Sequence, residues 1–491
     1  MNTQMLNAAE SRNVNWVLDL LINGEMVKGE GAPLPVENPA TEEILASPQE
    51  ATMAQLEKAV TAARRAFDSG IWRNAEERRR LLLRLADLLE ERADQFCAAL
   101  IEEVGTPLSI CHAMQLGTPI KMLRFNANAA TKDRTRSLGR DSGPPATESL
   151  IRYEPVGVVA AISAYNFPIL IAVGKIAAAL SAGCTVVLMP SPQTPLATLM
   201  LADLIREAGF PPGVVNVIIG GLEISRALTM HKDVDKISFT GSVQVGRQVA
   251  LQAADSFKGT VLELGGKSAA IVLPGADLAK IALPIHGRYL RNAGQGCLSP
   301  TRVLVQKKQL DDFIDASRDA YAKIQVGDPW DPATTAGPLI TEKHRERVEG
   351  YVARAVASGA KIEIGGGRPE MERGWYMNST LVGSVTNKSE ISREELFGPV
   401  GVIMTYDTVD EAIVMANDSD LGLGGAIWGP LDEAREVATR IRAGTVSING
   451  TGTLRIDGVL SGWKHSGLGR EWGEDGIQEF LETQHVQWVL D

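Results

Sequence analysis

From residue 156 onward, short apolar runs alternate with helical stretches. This alternation restricts the fold more than any other feature of the chain. Residues 156–163, 185–189, 214–219 and 236–239 read as buried strands, and residues 168–182, 196–208, 224–230 and 245–254 read as helices. Parallel strands need a crossover between them, and a helix packed on the sheet supplies it. The pattern predicts an α/β chain with a parallel sheet covered on both faces. That architecture binds dinucleotides beyond the carboxyl ends of its strands.

The flanks follow different patterns. Residues 53–68, 75–104 and 107–130 carry helical periodicity, whereas 131–149 is polar, rich in Arg, Gly and Pro, and reads as a loop or an exposed hairpin. A second α/β region follows. Its strands are expected at 268–273, 302–306, 400–406, 425–428 and 445–448, and its helices at 310–323 and 342–358. The tail 478–491 alternates loosely and ends apolar, which suits pairing with another subunit or docking on its own domain. A chain of 491 residues exceeds one hydrophobic core, so roughly two to four domains are expected.

Composition narrows the function classes. A net charge of -11 argues against nucleic acid or an anionic membrane as the main partner, since both require excess Lys and Arg. The four cysteines, Cys97, Cys111, Cys184 and Cys297, are widely spaced and form no CxxC pair, so neither a disulfide framework nor a metal site is expected. The N-terminus, MNTQMLNAAESRNVN, has no basic stretch followed by an apolar run, and no segment is long and apolar enough to span a bilayer. A cytoplasmic enzyme is the expectation.

Four local motifs carry candidate chemistry. They are Ala164-Tyr165-Asn166-Phe167-Pro168, Phe239-Thr240-Gly241-Ser242, Glu263-Leu264-Gly265-Gly266-Lys267 and Gly294-Gln295-Gly296-Cys297, the last placed at a helix end. Each has a plain reading when taken singly. A lone Cys is usually a small buried hydrophobe, a Glu near glycines a solvated turn residue, and an Asn before Phe-Pro a cap.

The ordered set resembles the aldehyde dehydrogenase superfamily over nearly the whole chain. Asp235-Lys236, Gly337-Pro338-Leu339, Glu394-Glu395-Leu396-Phe397-Gly398-Pro399 and Ser466-Gly467-Leu468-Gly469-Arg470-Glu471 extend the likeness. It implies a Rossmann-like cofactor domain (1–130 and 154–264), an α/β catalytic domain (265–461) and a small β oligomerisation element (131–153 and 475–491). Homodimers and homotetramers are the family's assemblies.

The chemistry of the residues agrees with this resemblance. Oxidising an aldehyde requires a hydride to leave carbon, and a thiolate adduct can expel it. Cys297 suits the nucleophile because its thiolate is accessible and strongly nucleophilic. The Asn166 amide and the Cys297 backbone N–H are implied as oxyanion donors, each such donor being worth about 3 kcal/mol. Glu263 is implied as the base that activates water against the thioester. Lys175, nine residues after Asn166, matches a family lysine that supports proton movement, although a surface helix lysine is the plain alternative. For the cofactor, Ser242 at a helix start is expected to hold pyrophosphate, with Gly241, Gly265 and Ser163 lining the approach. Glu395 is implied at the nicotinamide ribose, and Phe397 beside the nicotinamide.

Departures from the family concern cofactor choice and substrate. Met189 stands where a Lys is frequent, and Pro192 where NAD-preferring members carry Glu. The lost Glu removes a repulsion against NADP, and the lost Lys removes an attraction. NAD is the expected cofactor, with NADP open. Gly174, Leu454 and Leu460 replace frequent aromatics, and Phe167, Leu298 and Gly296 flank the same region. Fewer rings suggest a bulky, largely apolar aldehyde, unless rings such as Trp463 or Tyr165 compensate. Arg291, six residues before Cys297, would bind a substrate carboxylate in a semialdehyde dehydrogenase, or else face solvent or pair with an acidic neighbour. Two further readings compete: a CoA-acylating enzyme, against which Glu263 argues, and a non-redox thiol esterase or binding protein on the same fold.

Overall fold

The computed structural model describes residues 14–450 and 455–490; the expected site residue Leu454 lies outside them. Two mainly parallel sheets organise the described chain. Five parallel strands form the centre of the first, in the order Val215–Val217, Thr185–Met189, Val158–Ile162, Lys236–Thr240 and Gly259–Glu263. All five residues of Val158–Ile162 are buried, as expected of a strand with helices on both faces. Chain order runs outward one way from Val158–Ile162 and then resumes on its other side at Lys236–Thr240. A switch of this kind opens a crevice at the carboxyl ends of the two strands.

Three short antiparallel strands also join this sheet: Leu20–Ile22, Glu25–Val27 and Gly467–Leu468. They are too short for a periodic pattern, so sequence reading does not find them. The last brings the C-terminal segment beside Glu263, whose register partner is Gly467.

The second sheet runs Lys361–Ile364, Thr380–Gly383, Val400–Tyr406, Arg302–Gln306, Ala269–Val272, Gly424–Trp428 and Thr445–Ile448. Only the first of these strands is antiparallel to its neighbour. The polar segment after residue 130 forms a hairpin, Arg136–Asp141 with Thr147–Pro155, and the tail strand Leu481–Val489 adds to it antiparallel.

Helix Pro168–Ala182 begins with Pro168, whose missing N–H costs nothing in the first turn, and stops at Gly183 with φ +102°. Two expected helices are interrupted. The one expected over 75–104 breaks at Arg92 (φ -108°) into Ala75–Glu91 and Ala93–Val104, and each half keeps an apolar face, which hides the break from periodicity. The one expected over 107–130 becomes a short turn, a π-helical stretch Cys111–Gly117 and helix Thr118–Ala129. Pro119, lacking an N–H, cannot carry an ordinary ladder through the junction. From the second half of the first pair, buried Glu103 accepts from Leu196 N at 2.8 Å and Ala197 N at 2.9 Å, capping helix Leu196–Ala208 from a distance.

Among the described residues, no helix is long and apolar enough to cross a membrane. None of their His, Cys, Asp and Glu side chains cluster in a group able to hold a metal ion.

Candidate active site

Asn166 is held in place through both its backbone and its side chain. Gln115 Nε2 and Asn292 Nδ2 each donate to the Asn166 backbone carbonyl at 3.2 Å. The Asn166 side-chain nitrogen donates to Gln295 O at 2.9 Å. An amide nitrogen carries two protons, so one remains for another acceptor. Gln295 is fully buried and accepts from Ile340 N at 3.0 Å, which ties the segment after Pro338 to this loop.

Cys297 does not follow directly from a helix. Helix Leu278–Leu290 ends, and Asn292, Ala293 and Gly294 then take φ values of +53°, +52° and +75°. Three successive left-handed residues reverse the chain. A Cβ on Gly294 would lie 2.1 Å from Gly398 O, so only glycine allows that packing. The turn delivers a partly exposed Cys297, whereas Cys97, Cys111 and Cys184 are buried, and all four are free thiols.

Glu263 ends its strand next to Cys297. Burial, and then the charge of Glu471, push its carboxyl up to about 8; a hydrogen bond with Cys297 and the charge of Lys175 oppose the rise. Glu263 Oε1 is buried with no hydrogen-bond partner. Burial, followed by the Glu263 charge, pushes the Cys297 thiol well above its usual range. A carboxyl poised near neutrality suits proton abstraction.

Lys175, fully enclosed in its helix, reaches Glu471 Oε1 at 2.7 Å and Ser238 Oγ at 3.2 Å. It is not a surface lysine. Glu471 is positioned by two backbone bonds with Leu460, of 2.8 and 2.7 Å. Sequence reading quoted Glu471 within a motif but gave it no role. Its place beside Lys175, with its charge acting on Glu263, makes it part of this cluster.

The crevice at the switch point carries the expected cofactor residues. Ser163 Oγ and Thr240 Oγ1 are buried there without partners. Ser242 caps helix Val243–Ala254, accepting from Val245 N at 3.3 Å. A Cβ on Gly241 would meet the Phe239 ring at 2.4 Å, and one on Gly265 would meet Glu395 Oε2 at 2.1 Å. Glu395 accepts from Gly266 N at 2.9 Å, and its carboxyl is pushed up to about 7 by burial. Phe397 holds φ +59° and meets the Tyr165 ring edge-on at 5.9 Å. Orphan hydroxyls, a capped helix start and a glycine cradle around a carboxylate fit a dinucleotide. Met189 sits within the core at 2% exposure, which leaves little of it to face a ligand, whereas Pro192 and Gln193 are exposed.

A sequence model of the aldehyde dehydrogenase family matches residues 26–486. The chain belongs to the aldehyde dehydrogenase family. It is 39% identical to the geranial dehydrogenase of Castellaniella defragrans over 452 residues, covering 91% of this chain and 94% of that protein. It is also 39% identical to human aldehyde dehydrogenase 1A1 over 464 residues, covering 93% and 91%. Among solved structures it resembles an NAD+ complex of an aldehyde dehydrogenase from Bacillus cereus, with TM-score 0.94, 34% identity and full coverage of both chains (100% and 100%). It also resembles aldehyde dehydrogenase C of Pseudomonas syringae with NAD+ and octanal, with TM-score 0.92, 36% identity and coverage of 97% and 98%. The expected α/β fold and the aldehyde-oxidising class of reaction are thereby established.

In this aldehyde dehydrogenase the expected substrate residues differ in their surroundings. Phe167 is half-buried, and Leu298 turns toward the second sheet, its Cδ2 3.1 Å from where a Gly424 Cβ would stand. Leu460 is buried and paired with Glu471. Arg291 is half-buried, and no hydrogen bond or ion pair holds its side chain among the described residues. The space beside Gly174 is not empty: a Cβ there would meet Trp472 Nε1 at 3.5 Å and the Met122 methyl at 3.7 Å. The ring nearest Gly174 is thus that of Trp472, rather than Trp463 or Tyr165. Trp463 is 46% exposed, and Tyr165 packs on Phe397.

Proposed function

We propose that this aldehyde dehydrogenase oxidises a bulky, largely apolar aldehyde to its carboxylic acid by a hydrolytic route, with NAD as cofactor. The convergence of Cys297, Glu263 and Asn166 carries this reading. Cys297 Sγ adds to the carbonyl carbon, its proton passing toward Glu263. The developing oxyanion is met by the free amide proton of Asn166 and by the Cys297 backbone N–H. NAD, when bound, supplies the two-electron acceptor that leaves the adduct as a thioester. Glu263 then takes a proton from water, whose oxygen attacks the thioester and releases the acid and the Cys297 thiol. Lys175 and Glu471 carry the proton onward from Glu263.

Ser242, Gly241, Ser163, Glu395 and Phe397 are the proposed cofactor contacts. NAD+ complexes of similar enzymes support NAD. The apolar substrate is supported by half-buried Phe125, Phe167, Ile456 and Trp472 packed on the first core. The edge strand Leu481–Val489, most of its residues exposed, supports assembly into a homodimer or homotetramer through 131–153 and 475–491. Four free thiols suit the cytoplasm.

The test follows reduced-nicotinamide absorbance with a panel of aliphatic, terpenoid and aromatic aldehydes, with NAD or NADP, and with or without coenzyme A. The expected result is NAD-dependent turnover that needs no coenzyme A and is abolished in Cys297→Ala. No reduction with any aldehyde would overturn the reading.

One observation favours a second substrate class. The Arg291 guanidinium, lowered by burial, has no carboxylate among the described residues. Arg288 beside it bonds only Ser447 Oγ, at 2.5 Å. A substrate carboxylate would fill that need, making the substrate a semialdehyde. Arg291→Met would then lose activity toward succinic semialdehyde and keep it toward butanal.

A further inference from the structure

Helix Pro168–Ala182 is buried along nearly all its length. Ile171 is its one half-exposed residue, and Phe167 just ahead of the helix is half-exposed too. One turn beyond Ile171 on the same side stands Gly174, next to Lys175. The half-exposed positions Phe167 and Ile171 therefore lie between Asn166 and Lys175 in the chain, two members of the catalytic cluster, and Gly174 follows on their side. A residue with a side chain at Gly174 would narrow the space on that side.

The side chain in that place comes from elsewhere in the chain. Trp472 is half-buried and packs on the first core together with Phe125, Phe167 and Ile456. Its indole nitrogen is the atom nearest the Gly174 position, at 3.5 Å. Trp472 holds φ +66°, a left-handed backbone that a bulky residue rarely adopts. The next residue, Gly473, has φ +60°, and a Cβ on it would lie 2.8 Å from Asp457 O. Bonds from Gly473 N to Ile456 O (3.0 Å) and between Glu471 and Leu460 fix the turn on either side. The tether that sets Glu471 against Lys175 thus also sets the ring against Gly174. The indole N–H has no acceptor among the described residues, although indole N–H groups in partly buried positions usually find one.

We infer that Trp472 is a specificity-determining residue: its ring forms the substrate wall beside Gly174, and its free N–H donates to an acceptor oxygen on the substrate. The inference rests on the aldehyde dehydrogenase reading and adds a substrate class. The favoured substrates are aldehydes with an apolar or aromatic body that carry one ether, hydroxyl or carbonyl oxygen away from the reacting carbon.

The full-length enzyme with NAD is assayed on para- and meta-methoxybenzaldehyde against the ethylbenzaldehydes of the same shape. The readout is the ratio of kcat/KM for the oxygenated over the hydrocarbon member. Trp472→Phe keeps a ring and removes the donor, so this ratio is expected to fall by roughly three- to tenfold, mainly in KM. An unchanged ratio for both isomers would overturn the donor role. Gly174→Trp alone is expected to lose activity because the two rings collide. Gly174→Trp combined with Trp472→Ala restores a single ring from the opposite side, and is expected to recover roughly tenfold or more over Gly174→Trp. Strictly additive effects of the two changes, in variants that fold, would overturn the wall role. Oxidation of benzaldehyde by the unaltered enzyme reports separately on the aldehyde dehydrogenase reading itself.

Discussion

Lys175 Nζ lies 2.7 Å from Glu471 Oε1, joining helix Pro168–Ala182 to the C-terminal segment 296 residues later. Both charges act on Glu263, in opposite directions: Glu471 raises its carboxyl and Lys175 lowers it. Glu263 works as a base only when ionised, so activity rises with pH through about 8. Lys175→Met removes a lowering influence and moves this rising limb to higher pH. Glu471→Gln removes a raising influence and moves it to lower pH. The pH profile of kcat in the two variants checks the pair. Shifts in the same direction would contradict the geometry.

Glu263→Gln keeps the shape and removes the base. Steady-state kcat is expected to fall by roughly a hundred- to ten-thousandfold. Glu263 also receives the Cys297 proton in the first half, so the pre-steady-state burst of reduced nicotinamide should slow as well in rapid mixing. A burst of unchanged rate would confine Glu263 to the hydrolysis of the thioester.

Gly265→Ala places a methyl where Glu395 Oε2 stands, 2.1 Å from the Cβ position. The carboxylate must leave its bond to Gly266 N or the loop must shift, at a cost of about 1–3 kcal/mol. The Michaelis constant for NAD should rise by roughly tenfold or more, with a smaller change in that for aldehyde. Titration calorimetry with NAD measures the same loss without turnover.

Glu103 is fully buried, and its carboxyl is pushed up to about 8 by burial, against the pull of the Leu196 and Ala197 amides. Its folded pKa is raised, so its contribution to stability is complete at low pH and declines as pH rises through about 8. Glu103→Ala leaves two helix-start amides without their acceptor and should cost about 1–3 kcal/mol. Glu103→Gln should cost less and should flatten the decline of Tm between about pH 4.5 and 8. Thermal unfolding from acidic to mildly alkaline pH tests both.

The sheets were legible in the sequence because most of their strands are short apolar runs between helical stretches. Strands Thr185–Met189, Arg302–Gln306 and Thr445–Ile448 fall where their patterns place them. Cys297, Glu263 and Asn166 were legible as a set, since each sits in a distinctive short motif. Glu471 and Trp472 were not assigned roles: what matters about them is proximity to residues some 300 positions away, and no local pattern encodes that. The Cys111–Gly117 region misled in another way. A π-helical stretch has the same apolar spacing as an α-helix over one turn, so periodicity reads through it.

The left-handed triplet ahead of Cys297 bears on when the thiol becomes dangerous. Asn292 is held by the carbonyl of Asn166, and Gly294 packs under Gly398; these contacts cross 126 residues one way and about a hundred the other. An incompletely assembled chain lacks both anchors, and an alanine at φ +52° has no reason to stay there. The cysteine is therefore set opposite its base and oxyanion donor only when these contacts have formed. A chain in which these contacts have not formed carries an ordinary cysteine, with neither base nor oxyanion donor placed beside it.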